Sequence, residues 1–137
     1  MFELHQRLQA DTALIGQLPL CSALLSRDAN YPWVILVPRR ADIAEIYQLS
    51  PEDRQQLLLE SCALAEAMET IFQSDKLNIA AIGNLVPQLH LHHVVRYKTD
   101  AAWPGPVWGA VEAVDYSDAL LQQRLTELRL GLAELLD

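Results

Sequence analysis

Gln88-Leu89-His90-Leu91-His92-His93-Val94-Val95-Arg96 alternates polar with apolar residues, the two-residue period of a half-buried β-strand. Side chains on a strand point alternately to opposite faces, so Gln88, His90, His92, Val94 and Arg96 share one face. Leu89, Leu91, His93, Val95 and Tyr97 share the other, which is largely aliphatic and suited to a core. The polar face carries an amide, two imidazoles and a guanidinium in a row. Residues two apart on a strand sit roughly 6.5–7 Å from each other. That spacing lets both imidazoles touch one small group, and two aligned histidines with no burial motive of their own ask for a function.

The rest of the chain fits around such a strand. Its 137 residues predict one domain, 1–137, with a single sizeable core. With 51% apolar and 20% charged residues the balance is that of a globular protein. A formal charge of −8 and no basic run longer than Arg39-Arg40 argue against a nucleic-acid surface, which recruits Lys and Arg in patches. No apolar run approaches the roughly 20 residues that span a bilayer. Met-Phe-Glu-Leu-His-Gln lacks the basic-then-apolar form of a secretory leader, so the expected compartment is the cytoplasm. Cys21 and Cys62, without CxxC spacing, read as reduced core thiols.

Residues 2–10 predict a short helix with Phe2, Leu4 and Leu8 inward, and Asp11-Thr12 a cap for a second short turn over Leu14, Ile15 and Leu18. Strands are predicted over 20–26 and 33–37, joined by the turn chemistry of Arg27-Asp28-Ala29-Asn30 into a hairpin. Ser50 caps the longest helix, Pro51 takes its first position, and Glu52 and Asp53 meet the positive end of its dipole. Leu57, Leu64, Ala65, Met68, Ile71 and Phe72 then fall on one face as plain core, and the helix ends near Ser74. A third strand is read over 76–83, and 84–87 turn the chain into the histidine strand. Trp103 and Trp108 lie in a Pro- and Gly-rich loop, where they either plug the core edge or wall a pocket or dimer contact. Leu121, Leu125, Leu128, Leu132 and Leu135 make a heptad-like seam on a last helix, about 117–136, either docked on the sheet or forming a dimer seam.

The histidine strand resembles the signature of the histidine triad (HIT) family of nucleotidyl hydrolases and transferases, His-φ-His-φ-His-φ-φ. Gln88 stands where the first histidine belongs, His90 at the second and His92 at the third; Gly83-Asn84 takes the place of a preceding Gly-Gln. Pro32-Trp33-Val34-Ile35-Leu36-Val37-Pro38 is similar to the family's proline-framed second strand, with Trp33-Val34 where Gly-His or Thr-His is usual. The resemblance covers about 20–110. It implies an α+β, HIT-like fold: an antiparallel sheet of about five strands with helices packed on one side. It also implies a homodimer, which would hide unpaired strand edges.

The activity implied is nucleotidyl hydrolysis or transfer at the α-phosphate of a substituted nucleotide, such as a dinucleoside polyphosphate or a nucleoside phosphoramidate. By the resemblance His90 attacks and forms a covalent nucleotidyl-histidine, His92 donates to a phosphate oxygen or the leaving group, and Asn84 contacts phosphate. Gln88 can orient its neighbours but carries no proton at neutral pH. Asp28 is the candidate for the ribose hydroxyls, with Asn30 and Ser26 as competitors, and Arg96 is either an anion contact or a strand-end charge. His93 faces the core in a structural role, and His5 has no constellation. No cofactor is implied. The alternatives are a non-catalytic nucleotide-binding or interaction module with a degenerate triad, and a metal clamp using His90 and His92, for which no third ligand is visible.

Overall fold

Five strands form one antiparallel sheet in the computed structural model, which describes residues 1–137. They are β1 (Thr12–Gln17), β2 (Cys21–Ser26), β3 (Trp33–Pro38), β4 (Lys76–Ala80) and β5 (Leu91–Arg96), in spatial order β1-β2-β3-β5-β4. Three α-helices accompany them: α1 (Gln6–Asp11), α2 (Pro51–Phe72) and α3 (Asp118–Gly131). This is the expected α+β arrangement, with the histidine strand between β3 and β4 rather than at an edge. No helix is long and apolar enough to cross a membrane.

The period of each strand divides the sheet into a core face and a site face. Leu57, Leu64 and Met68 of α2 meet Cys21, Ala23, Leu25, Val34, Leu36, Leu91 and Val95, all on one face. Leu64 and Met68 are fully buried, and burial of such a side chain stabilises by about 1.5–3 kcal/mol. The helix begins as its residues dictate: Ser50 Oγ accepts from the Asp53 N–H at 3.1 Å, with Pro51 at the first position. It stops at Gln73, whose left-handed backbone (φ 50°) closes the last turn onto the Glu69 carbonyl. A buried carboxylate fastens α2 to the sheet, since Glu60 accepts from the backbone N–H groups of Leu20 and Cys21 at 2.8 and 2.9 Å.

The last helix is shorter than predicted, since α3 ends at Gly131 and Leu132 and Leu135 lie beyond it, yet the leucine seam packs within the chain. Leu125, Leu128 and Leu132 are buried in the same core as α2, with Leu121 and Leu135 partly buried against it. On the opposite face of the sheet, Leu24, Ile35 and Val37 pack against Leu8 of α1, Val86 and the partly buried Phe2 and Leu4. The two long helices therefore cover one face, while the short α1 and the N-terminal segment cover part of the other.

Further expectations are corrected, among them the third strand, which stops at Ala80 rather than Gly83. Asp11-Thr12 does not cap a second helical turn; Thr12 opens β1, whose alternation is broken by a bulge between Leu14 and Gly16. The histidine strand is shorter than its pattern: ladder pairing begins at Leu91, and Gln88 lies in a bend before it. Cys21 is buried, but Cys62 is exposed on α2 and is no core thiol.

Candidate active site

His90 and His92 stand side by side on the site face of the sheet, their ring centroids 4.9 Å apart and each only 7% exposed. A carbonyl oxygen can only accept, so the 2.7 Å contact between His90 Nδ1 and the Gln88 carbonyl places the His90 proton on Nδ1. In the neutral ring Nε2 then carries the free lone pair. The neighbouring ring is held in the opposite tautomer. Indole N–H only donates, and Trp33 Nε1 lies 3.0 Å from His92 Nδ1, so neutral His92 carries its proton on Nε2. Burial, then the nearby His90 and His93, push the His92 pKa down to about 4. The pair thus presents one lone pair and one N–H donor. That is the complement a nucleophile and an oxyanion donor require.

Both rings open on a cavity of about 350 Å³ between the sheet, α1 and the 82–86 loop. Register explains how Trp33 reaches His92: Trp33 pairs with Val94 and Ile35 with His92, so the indole crosses diagonally on one face. Trp108 closes the other side of His92 at 5.1 Å and lies edge-on to Trp33 at 5.9 Å. Leu8, Ile35 and Val86 add apolar wall, suited to a flat ring. Polar groups arrive from Ser26, Thr12 and Asn84, and charge from Arg7 and Asp11 on α1. Gly83, at φ +72°, makes the left-handed turn that leads Asn84 onto the rim.

The structure brings His90, His92, Asn84 and Ser26 of the predicted site together and leaves the other candidates elsewhere. Gln88 turns its side chain away from the cavity: Oε1 accepts from the His5 N–H at 2.9 Å and Nε2 donates to the Glu3 carbonyl at 2.8 Å. Asp28 accepts from the Asn30 backbone and side chain and from the Val114 N–H, while Asn30 also donates to the Glu112 carbonyl. Both tie down the 112–115 loop, and of the three turn candidates Ser26 is the one that lines the cavity. Arg96 is 1% exposed and binds Asp100 through two hydrogen bonds of 2.8 and 3.1 Å. It also donates to Asn78 and the Gly105 carbonyl and lies over the Tyr31 and Trp103 rings. It is a buried structural charge, away from the cavity.

Asp100 shows the same economy: burial raises its pKa, but the Arg96 hydrogen bond and three backbone N–H groups hold it near 2. His93, on the core face, is fully buried, donates from Nδ1 to the Leu91 carbonyl at 3.1 Å and accepts at Nε2 from Ser61 at 2.7 Å. Burial lowers its pKa to about 4. No three His, Cys, Asp or Glu side chains are grouped so as to hold a metal ion. Trp33 and the α1 residues were not singled out from the sequence, because only register and docking bring them to His92 and the cavity.

Comparison with known proteins identifies the family. The HIT domain family model matches residues 7–99. A histidine triad protein of Marinobacter aquaeolei VT8 is 52% identical over 98% of both chains, with a TM-score of 0.96. One from Bradyrhizobium japonicum is 47% identical over 95% of this chain and 97% of its own, with a TM-score of 0.93. Another from Sinorhizobium meliloti 1021 is 39% identical over 96% and 98%, with a TM-score of 0.94. No curated protein matches the chain. With the family model covering well over half its length, the chain belongs to the HIT, or histidine triad, family.

Proposed function

We propose that the chain is a single-domain nucleotidyl hydrolase or transferase acting on the α-phosphate of substituted nucleotides. Members of the HIT family are generally nucleotide-binding hydrolases or transferases, and the observation that carries the reading here is the pair of opposed tautomers. With the Nδ1 proton of His90 held by the Gln88 carbonyl, Nε2 is the free nucleophile. Its lone pair attacks the α-phosphorus as the bond to the leaving group breaks, giving a nucleotidyl-His90. Water or another acceptor then attacks phosphorus, and the P–N bond electrons return to Nε2. His92, as an Nε2–H donor, hydrogen-bonds a phosphate oxygen while negative charge gathers there.

In this reading Asn84 contacts phosphate, Ser26 replaces Asp28 and Asn30 as the ribose contact, and the base lies among Leu8, Ile35 and Val86. Gln88 occupies the first triad position as an orienting residue, its backbone carbonyl acting on His90 and its side chain on the N-terminal segment. A homodimer accounts for the open β4 edge, where Ile79 is about half exposed. The test is a screen of dinucleoside polyphosphates and nucleoside phosphoramidates against the purified protein. Release of nucleoside 5′-monophosphate is expected. Nucleotide binding without release would assign the chain to the non-catalytic binding class.

A further inference from the structure

The Trp33–His92 hydrogen bond constrains more than a tautomer. An imidazolium carries N–H on both nitrogens. Protonating His92 would set its Nδ1–H against the Trp33 N–H across 3.0 Å, two donors facing each other. No group around the ring offsets that. His90 lies beside it, His93 is on the opposite face of the same strand, and Trp33, Ile35 and Trp108 are uncharged. Arg7 and Asp11, of opposite sign, stand on the α1 wall of the cavity. Gln88 is committed to Glu3 and His5, and the His90 Nδ1–H to the Gln88 carbonyl, while the cavity's Thr12, Ser26 and Asn84 are neutral hydroxyls and an amide. The sheet therefore offers a hydrogen-bond donor beside the nucleophile but no proton to give away.

We propose that Trp33 is a positioning residue that holds His92 as a neutral Nε2–H donor and thereby restricts the site to substrates whose leaving group departs as a stable oxyanion. The inference rests on the nucleotidyl-transfer reading and narrows it. When the His90 Nε2 lone pair forms the bond to phosphorus, the breaking P–O bond of a phosphoanhydride or acyl phosphate leaves its electron pair on oxygen as phosphate or carboxylate, which needs no proton. A phosphoramidate would have to shed an amine, whose nitrogen must take up a proton as the P–N bond breaks. The low pKa of His92 agrees with this division.

The experiment uses the full chain, its Trp33→Phe variant, and two probes with adenosine and guanosine as the nucleoside: the dinucleoside triphosphate and the N-butyl phosphoramidate. Nitrogen-15 NMR of labelled histidine reads the His92 tautomer independently of turnover. In the wild type His92 stays neutral with its proton on Nε2 from pH 8 to pH 5, and kcat/KM favours the anhydride by at least about 100-fold, the scale of general-acid assistance. Intrinsic reactivity contributes to that preference, so the variant decides it. Trp33→Phe keeps an aromatic ring but removes the donor; His92 then titrates within that range and the preference shrinks at least about tenfold. A wild-type His92 that titrates between pH 5 and 8, or a variant with unchanged tautomer and unchanged preference, overturns the proposal. If His92 behaves as stated but neither probe is turned over, the nucleotidyl-transfer reading falls and takes the leaving-group restriction with it, while the hold of Trp33 on His92 stands.

Discussion

The side-chain oxygen of Gln88 accepts the backbone N–H of His5 at 2.9 Å, and through that contact the N-terminal segment is clasped beside the cavity. The Gln88 amide completes the clasp by donating to the Glu3 carbonyl. Two jobs meet in one residue, since its own carbonyl orients His90.

Gln88→His therefore does not add a third imidazole to the cavity. Position 88 lies before the ladder begins, and imidazole does not reproduce an amide that accepts and donates to neighbouring backbone groups. The substitution is expected to loosen α1, raise KM and change kcat by less than about tenfold, or 1.4 kcal/mol in the barrier. Amide exchange across residues 3–12 and steady-state kinetics check both parts. A gain of several hundredfold in kcat would contradict this account of Gln88.

What was legible in the sequence was what local chemistry alone determines. The alternation around His90 and His92, the Ser50-Pro51 helix start and the leucine spacing of the last helix each carry their cause within a few residues. The strand at Thr12 was not legible, because Asp11 and Thr12 are capping types and the bulge at Gly16 breaks the period that would have betrayed it. A two-residue period extended through the bend at Gln88 predicts the wrong side for that residue. Trp33 and Arg96 depend on partners from other segments: a diagonal across β3 and β5 for one, Asp100, Asn78 and the Gly105 carbonyl for the other.

Asp100→Ala tests Arg96. The ion pair is almost fully buried, at 2% and 4% side-chain exposure. Removing one partner leaves an uncompensated buried charge, which costs roughly 3–5 kcal/mol. Thermal unfolding is expected to drop by more than about 10 °C, with KM of the folded fraction unchanged. A raised KM with unaltered Tm would return Arg96 to substrate binding.

Acid weakens the fold in a defined window. His92 and His93 stay neutral when folded, with pKa values near 4, and rise to about 6.5 when unfolded. The unfolded chain thus binds more protons between those values, so stability is full above about pH 6.5 and falls progressively towards pH 4. Each imidazole accounts for up to roughly 3 kcal/mol over that span. Urea midpoints at pH 7.5, 5.5 and 4.5 should decline, and His93→Gln should flatten the decline. A midpoint independent of pH would contradict the buried neutral pair.

The two cysteines separate by reactivity. Burial, then the Glu60 carboxylate beside it, push the Cys21 thiol up, whereas Cys62 lies exposed on α2. Thiolate is the reactive form. A thiol reagent should titrate one group in the native protein, mapped to Cys62, and the second only in denaturant. Two fast-reacting thiols in the native state would contradict the buried position of Cys21.

The most direct test of the account is to trap the covalent intermediate. Wild-type protein mixed with an α-phosphate-labelled dinucleoside triphosphate and quenched within the first turnover should carry label on His90, located by mass spectrometry of the peptide. His90→Asn should carry none and turn over no substrate. Turnover without label on any histidine, or full activity in His90→Asn, would contradict nucleophilic attack by His90.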